Sequence, residues 1–191
     1  ITSTFSTSIN GSEVKFDIQS GFPWDGAVRI SVQAREPFEL ALRIPDWCQD
    51  QYTASFPGVR RDGYLSLQVT SDVDLDVTFS TKPHFVYANP KTRKDEVAVM
   101  RGPLVYCAED VDNDFDLESL YVQTSTPIKE TGRTTILNYN DVPQLEVLGH
   151  SHRADIPGEK LYSHQRIALE VVPKKVNLIP HFARENRGGY G

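Results

Sequence analysis

Apolar and polar residues alternate one by one along much of the chain. The clearest example is the segment 73–79, which reads VDLDVTF. Because successive side chains of a β-strand point to opposite faces, such a pattern buries one set and leaves the other in water. The same period of two recurs at 14–18, 28–32, 38–44 and 65–69. These segments are predicted to be half-buried β-strands.

Short apolar runs separated by turn residues continue this pattern towards the C-terminus. They lie at 97–99, 104–107, 120–122, 135–137, 145–147, 167–171 and 176–179. Turn-forming pairs such as Asn10-Gly11 and Asp62-Gly63 lie between the predicted strands. No window shows an apolar stripe with helical spacing over three turns. The pattern predicts an all-β protein with no substantial helix, built as two antiparallel β-sandwich domains of jelly-roll-like type.

A polar segment near the middle of the chain divides the predicted strands into two groups. Residues 89–95 read NPKTRKD and contain no apolar side chain apart from the proline. We therefore expect a first domain over 1–94 and a second over 95–191. Since the connection is only a few residues long, the two domains are expected to pack on each other.

Composition and charge exclude several classes of protein. Of the 191 residues, 39% are hydrophobic and 10% aromatic, which is enough to form a core and argues against disorder. The net charge is −6, and the excess of acidic residues lies in the segment 108–120, so no basic face for nucleic acid is expected. No apolar run approaches the roughly 20 residues of a membrane span. The composition is compatible with a secreted and with a cytoplasmic location.

The chain has only two cysteines, Cys48 and Cys107. This number is too small for a disulfide framework or a multi-cysteine zinc site. Cys107 lies in the apolar run 104–108, where burial would raise its pKa and lower its reactivity. Cys48 follows Trp47 at the end of a predicted strand.

Asp110, Asp112 and Asp114 alternate as calcium ligands do. An EF-hand loop would next require glycine where the chain has Phe115, and glutamate at the twelfth position where it has Tyr121. The motif therefore fails, and a solvated acidic loop is the favoured interpretation.

His150 and His152 would lie on one face if their segment is a strand. Two imidazoles could begin a zinc site, but a third ligand is required and the sequence indicates none. A polar loop beside Gly149 is the favoured interpretation.

Trp24 and Trp47 are the candidate contacts for carbohydrate, because exposed aromatic rings on a β-sandwich can stack on sugar rings. The alternative, which we favour, is that both rings plug the corners of a sandwich. Catalytic carboxylates cannot be selected among 26 acidic residues from spacing alone. The chain also lacks a nucleophile elbow, a Walker loop and a dinucleotide fingerprint.

Four phrases, taken in order, resemble the C-terminal part of glycoside hydrolase family 127, the β-L-arabinofuranosidase-like enzymes. They are GFPWDG at 21–26, LRIPDWC at 42–48, MRGPLVYCAE at 100–109 followed by Asp112-Asn113, and IPHFARENRG at 179–188. Their order and spacing cover nearly the whole chain. The RGPLVY phrase is the most specific of the four.

The resemblance implies an enzyme with an N-terminal (α/α)6 barrel that carries the chemistry, followed by two β-sandwich domains. The implied nucleophile is a cysteine thiolate held on zinc by further Cys and Glu residues of that barrel. Neither Cys48 nor Cys107 matches those positions, so the resemblance transfers no catalytic, cofactor-binding or metal-binding residue to this chain. Because family members continue past the Asn-Arg-Gly phrase, the second domain is expected to be truncated at its C-terminal end. Ile1 is not an initiator Met, and the chain is expected to follow a missing barrel.

From the residues and the resemblance together, we expect the non-catalytic region of a glycoside hydrolase, inactive by itself. Its expected partners are the catalytic barrel, a second copy in a homodimer and, through the parent enzyme, an arabinose-containing glycan. Zinc is expected only in the absent catalytic domain. The alternatives are a free-standing carbohydrate-binding module that uses surface aromatics, and a purely structural or oligomerisation module.

Overall fold

The computed structural model describes residues 2–154, 162 and 164–187, and these residues are built from β-strands. Five 3₁₀ turns of three residues are the helical elements among them. The strands are β1 (Thr2–Ile9), β2 (Ser12–Ser20), β3 (Ala27–Gln33), β4 (Phe38–Arg43), β5 (Tyr52–Ala54), β6 (Val59–Arg61), β7 (Tyr64–Val69), β8 (Val73–Phe79), β9 (Pro83–Tyr87), β10 (Val97–Arg101), β11 (Leu104–Cys107), β12 (Leu120–Val122), β13 (Lys129–Ile136), β14 (Tyr139–Ala154) and β15 (Leu169–Pro180). The predicted all-β class without substantial helix is confirmed.

The chain forms two compact units, Ile1–Lys82 and Pro83–Gly191. The division lies earlier than the expected boundary between residues 94 and 95. The reason is that β9 pairs antiparallel with β10 along its whole length, so the strand belongs to the second unit. The polar segment 89–95 is therefore a hairpin connection within that unit and not a linker between domains.

The first unit consists of two antiparallel sheets. The larger has the strand order β1-β2-β3-β8-β5, and the smaller has the order β4-β7-β6. A two-residue turn, Asn10-Gly11, joins β1 to β2. Both turn residues have positive φ, 52° and 81°, as a type I′ turn requires.

Side chains from both sheets of the first unit meet in one core. The larger sheet contributes Val14, Phe16, Ile30, Val32 and Leu75, and the smaller contributes Phe38 and Val69. Each of these side chains is at most 7% exposed. Two sheets that share one apolar layer form a sandwich.

The predicted register of β8 is confirmed. Leu75, Val77 and Phe79 are buried, whereas Asp74 and Thr78 on the other face are exposed. The alternation of the sequence is thus the alternation of burial in the strand.

The second unit is built on one continuous seven-stranded sheet. Its order is β12-β14-β15-β11-β10-β9, and β13 pairs with the other part of β14. Strand β15 pairs with β14 up to Leu178 and then with β11 at Ile179 and Pro180. It thereby connects the two parts of the sheet, which share a core of Val99, Tyr106, Leu145, Val147, Val176 and Leu178.

His150 and His152 lie within β14, which runs without interruption from Tyr139 to Ala154. The favoured interpretation of this segment as a polar loop is therefore wrong. The segment is a strand because its residues pair with β15 in one continuous register. Gly149 and Ser151 lie on the same face as the buried Val147, and the two imidazoles lie on the opposite face. Pro173 opposite His150 is tolerated, because over the described residues this part of β15 pairs on one side only.

Candidate functional site

A buried carboxylate, Glu109, lies at the end of the RGPLVYCAE phrase and is only 1% exposed. Its Oε1 atom accepts a hydrogen bond of 2.5 Å from the backbone N–H of Glu185. Its Oε2 atom accepts from the Arg187 guanidinium, with the Nε–Oε2 distance at 3.2 Å. Burial of a carboxylate is costly unless it is paired, and here both oxygens are engaged.

Arg187 is shared between two carboxylates. Besides Glu109 it binds both carboxylate oxygens of Asp112, with the Nη1–Oδ1 distance at 3.2 Å. The hydrogen bonds to Asp112 have the largest effect on Arg187, and those to Glu109 add to it. Together they raise the pKa of Arg187 further above its ordinary value. The guanidinium stays charged, and we call this set of groups, Glu109, Asp112 and Arg187, the Glu109–Arg187 cluster.

Two asparagines extend this cluster to β15. The Asn113 amide nitrogen donates to the backbone oxygens of Glu109 at 2.7 Å and of Asn177 at 3.1 Å. Asn177 in turn donates its backbone N–H to Asn113 Oδ1 at 2.9 Å. The cluster therefore joins the loop after β11, the strand β15 and the segment after it. Because its acidic and basic groups satisfy one another, its chemistry is that of a structural clamp.

The acidic segment is thus only partly the solvated loop that the sequence suggested. Asp110 and Asp114 are exposed, but Asp112 is turned towards Arg187 and Glu109 is buried. Sequence spacing gave no signal for this pairing, since Glu109 and Arg187 are 78 positions apart. Among the described residues, no three His, Cys, Asp or Glu side chains are grouped so that they could hold a metal ion.

The RGPLVY phrase also has a structural explanation. The Arg101 side chain is 5% exposed, and its Nε donates to Glu130 Oε1 at 3.0 Å. Gly102 has a φ of 53° in the tight connection between β10 and β11. Tyr106 donates its hydroxyl hydrogen to the backbone oxygen of Pro143 at 3.0 Å, and burial raises the pKa of Tyr106 to about 12.

Trp47 packs in the first unit in an edge-on arrangement. Its ring centre lies 5.7 Å from that of Phe22 and 6.0 Å from that of Phe79, at interplanar angles of 76° and 71°. These rings join the apolar cluster around Ile44 and Cys48. This position is that of a plug at the corner of a sandwich, whereas a role of Trp47 in carbohydrate contact stays a prediction.

Trp24 is partly exposed in the turn before β3. Its backbone N–H donates to Gly21 at 3.0 Å, which holds the turn closed. The flanking residues Gly21 and Asp25 line an open groove of about 300 Å³. In that groove Arg29 forms a bidentate pair with Asp76, at 2.8 and 3.1 Å, which lowers the pKa of Asp76. The groove therefore offers charged hydrogen-bonding groups, and its lining residue Asp25 follows Trp24 directly in the sequence.

The two thiols do not fit the zinc–thiolate centre implied by the resemblance. Cys48 is 2% exposed in the core of the first unit, and Cys107 lies on β11 in the second unit. Burial raises the pKa of both thiols. Each is therefore disfavoured as a thiolate, the form that binds zinc or attacks a substrate.

His150 and His152 form an outward-facing group with Tyr121 of the neighbouring strand. The rings of Tyr121 and His150 are stacked, with centres 5.3 Å apart and an interplanar angle of 8°. The two imidazole centres are 5.5 Å apart. The third partner is a tyrosine, so the zinc interpretation gains no further ligand from the described residues.

Among the described residues, no helix reaches the length and apolarity that crossing a membrane requires.

Comparison with known families matches the chain in two consecutive parts. Residues 1–82 match the model described as "Beta-L-arabinofuranosidase, GH127 middle domain", and residues 83–190 match the "Glycoside hydrolase family 127 C-terminal domain". The boundary between the two matches coincides with the division into compact units.

A curated relative, the non-reducing end β-L-arabinofuranosidase of Bifidobacterium longum subsp. longum, is 32% identical over 88% of this chain and 28% of its own length. Two solved structures are similar. A GH127 β-L-arabinofuranosidase from Geobacillus stearothermophilus T6 has a TM-score of 0.79 at 28% identity. The similarity covers 99% of this chain and 31% of the chain of that enzyme. A second solved structure, a GH127 β-arabinofuranosidase, has a TM-score of 0.78 at 27% identity. The similarity covers 98% of this chain and 32% of the chain of that enzyme. The chain thus spans about a third or less of these relatives.

Proposed function

Because the chain belongs to glycoside hydrolase family 127, we propose that it is the non-catalytic β-sandwich region of a β-L-arabinofuranosidase-like enzyme. The observation that carries this proposal is the extent of the match. The two family models that cover residues 1–190 are those of the middle and C-terminal domains, and the relatives are about three times as long.

The chemistry of the chain supports a structural role. In the described residues, each buried charged group is paired with a more exposed group of opposite charge, Glu109 with Arg187 and Arg101 with Glu130. Both thiols are held in the protonated form by burial. A nucleophile needs the opposite, a lowered pKa or an adjacent base.

We further propose that this region supports the catalytic barrel of the parent enzyme and takes part in interdomain or dimer contacts. In this account zinc–thiolate chemistry and recognition of arabinose-containing glycans belong to the barrel. The β-sandwiches supply rigid surfaces, since each unit has its own apolar core.

The experiment is a deletion and reconstitution of the parent enzyme. The full-length enzyme is compared with a version that ends where this chain begins, both assayed on an aryl β-L-arabinofuranoside. We expect the shortened enzyme to lose thermal stability and activity. Adding the separately purified chain described here should restore part of both. A chain carrying Leu75→Asp, whose first unit should not fold, is the control. Full activity and stability of the shortened enzyme would refute the supporting role.

One observation favours a second candidate function, a carbohydrate-binding module. The partly exposed Trp24 is next in sequence to Asp25, which lines the groove that contains Arg29 and Asp76, and a stacking surface together with hydrogen-bonding groups would suit sugars. Titration with arabinose-containing oligosaccharides, followed by tryptophan fluorescence, tests it. Binding lost in Trp24→Ala but kept in Tyr64→Ala, a change of another exposed ring in the same unit, would support this function. No saturable change with any glycan would reject it.

A further inference from the structure

Strand β14 presents two histidines on one face of the second unit. His150 and His152 are separated by one residue, so both imidazoles project from the same side of the strand. Both side chains are half-buried, and their ring centres are 5.5 Å apart. A structural zinc site would need further protein ligands, which the described residues do not group with them. Two convergent imidazoles can still bind an ion whose remaining ligands are water.

The separation of the two rings matches that of two imidazoles on one metal ion. Metal–nitrogen bonds are about 2.0–2.1 Å long, so imidazoles in neighbouring positions of one ion have ring centres about 4.5–5.5 Å apart. The distance between His150 and His152, 5.5 Å, lies at the upper end of this range. A small rotation of either side chain is therefore sufficient to direct one nitrogen of each ring at the same ion, and the strand itself need not move.

Tyr121 of β12 restricts the motion of both imidazoles. It lies directly opposite His150 in the antiparallel pair of β12 and β14. Its ring is stacked on His150, with centres 5.3 Å apart, and its centre lies 4.8 Å from that of His152. Because these contacts limit the rotamers of the two imidazoles, less conformational entropy is lost when an ion fixes them.

The neighbouring strand β15 places apolar side chains opposite the two imidazoles. Pro173 lies opposite His150, and Val171 lies opposite His152. Neither side chain carries a hydrogen-bonding group or a positive charge, so neither competes with a metal ion for the ring nitrogens or repels it. The net charge of −6 on the whole chain favours the approach of a cation.

We propose that His150 and His152 form a binding site for one divalent transition-metal ion, with copper(II) bound most tightly. Imidazole is a ligand of copper(II), nickel(II) and zinc(II), and copper(II) forms the most stable complexes of the three. Copper(II) prefers a square arrangement of nitrogen and oxygen ligands, in which the two imidazoles occupy neighbouring positions and water fills the others. This site is separate from the zinc–thiolate centre expected in the barrel, and the inference does not rest on the proposed function.

Isothermal titration calorimetry of the chain, without an added histidine tag, tests the site with copper(II) and with nickel(II). We expect one ion of either metal to bind at the pair, copper(II) more tightly than nickel(II). His152→Ala leaves a single imidazole and should weaken the binding of both ions at least tenfold. His181→Ala removes an exposed histidine elsewhere in the second unit and, as the matched control, should bind like the unsubstituted chain. Equal affinities of His152→Ala and the unsubstituted chain, or no saturable binding, would overturn the proposal.

A relocated imidazole and the copper(II) spectrum test the geometry. Val171→His, combined with His150→Ala, places the second imidazole directly across from His152, at about 4.5–5.5 Å between Cβ atoms. This double variant should regain the affinity that His150→Ala alone loses, with circular dichroism showing that both variants are folded. Electron paramagnetic resonance of the copper(II)-loaded unsubstituted chain should show splitting by two imidazole nitrogens. Splitting by one nitrogen, or no regained affinity in the folded double variant, would overturn the two-imidazole site.

Discussion

Leu75 and Asp74 are neighbours in sequence with opposite environments. Leu75 is 1% exposed in the core of the first unit, whereas Asp74 is exposed on the outer face. Replacing Leu75 by Ala should lower the free energy of unfolding by about 2–5 kcal/mol, because a cavity remains in a packed core. Asp74→Ala, the matched control, should change it by about 0.5 kcal/mol or less. Chemical denaturation measures both, and equal effects would show that the register is wrong.

Because Tyr106 is buried, the stability of the fold is expected to fall with rising pH in the alkaline range. Burial raises its pKa from 10.0 to about 12, so the folded state keeps the hydroxyl proton at pH values where the unfolded state has lost it. Stability from this group is fully present below pH 10 and falls as the pH rises to 12, at most about 1.4 kcal/mol per pH unit. Denaturation curves of the protein and of Tyr106→Phe between pH 9 and 12 check this. The variant should lose less stability over that interval, and parallel losses would contradict it.

For individual residues, the sequence predicted buried apolar positions better than buried polar ones. Alternation identified the inward side chains of β2, β3 and β8, because a period of two is a local property of the chain. It gave no indication that Glu109 is buried, since its partners Glu185 and Arg187 come from a segment far along the chain. Such pairs depend on how the strands between them fold.

At the scale of elements, the missed strands are those whose sequence lacks a one-sided apolar pattern. Strand β1 consists of serine and threonine apart from Phe5 and Ile9 and is an edge strand, so neither face needs to be apolar. Strands β14 and β15 were predicted only in pieces, because Gly149 and Pro173 interrupt their apolar runs. Pairing between these two strands provides the continuity that each lacks alone.

The Glu109–Arg187 cluster should stabilise the end of the second unit. Arg187→Ala leaves Glu109 buried without a cationic partner, which should cost about 3–5 kcal/mol. Arg133→Ala removes the exposed Arg133–Asp141 pair on the β13–β14 hairpin and should cost about 1 kcal/mol or less. Thermal unfolding compares the two variants. If Arg187→Ala is no more destabilising than Arg133→Ala, the cluster does not act as a clamp.

At the scale of the whole chain, the boundary at Lys82 and Pro83 is testable by fragments. Strand β9 contributes Phe85 to the packing around the second core and pairs along β10. A fragment of residues 83–191 should therefore unfold cooperatively and at a higher temperature than a fragment of residues 95–191, which lacks β9. Circular dichroism melts of the two fragments decide this, and identical melting curves would favour the boundary that the polar segment suggested.

Under the proposed function, these β-sandwich units carry no catalytic centre of their own. The most direct measurement is the turnover of an aryl β-L-arabinofuranoside by the purified chain beside the full-length parent enzyme at equal molar concentration. We predict release of the aryl group by the parent, and none above the enzyme-free blank by the chain. Saturable turnover would contradict the proposed function if this activity co-purifies with the chain and is lost when the chain unfolds.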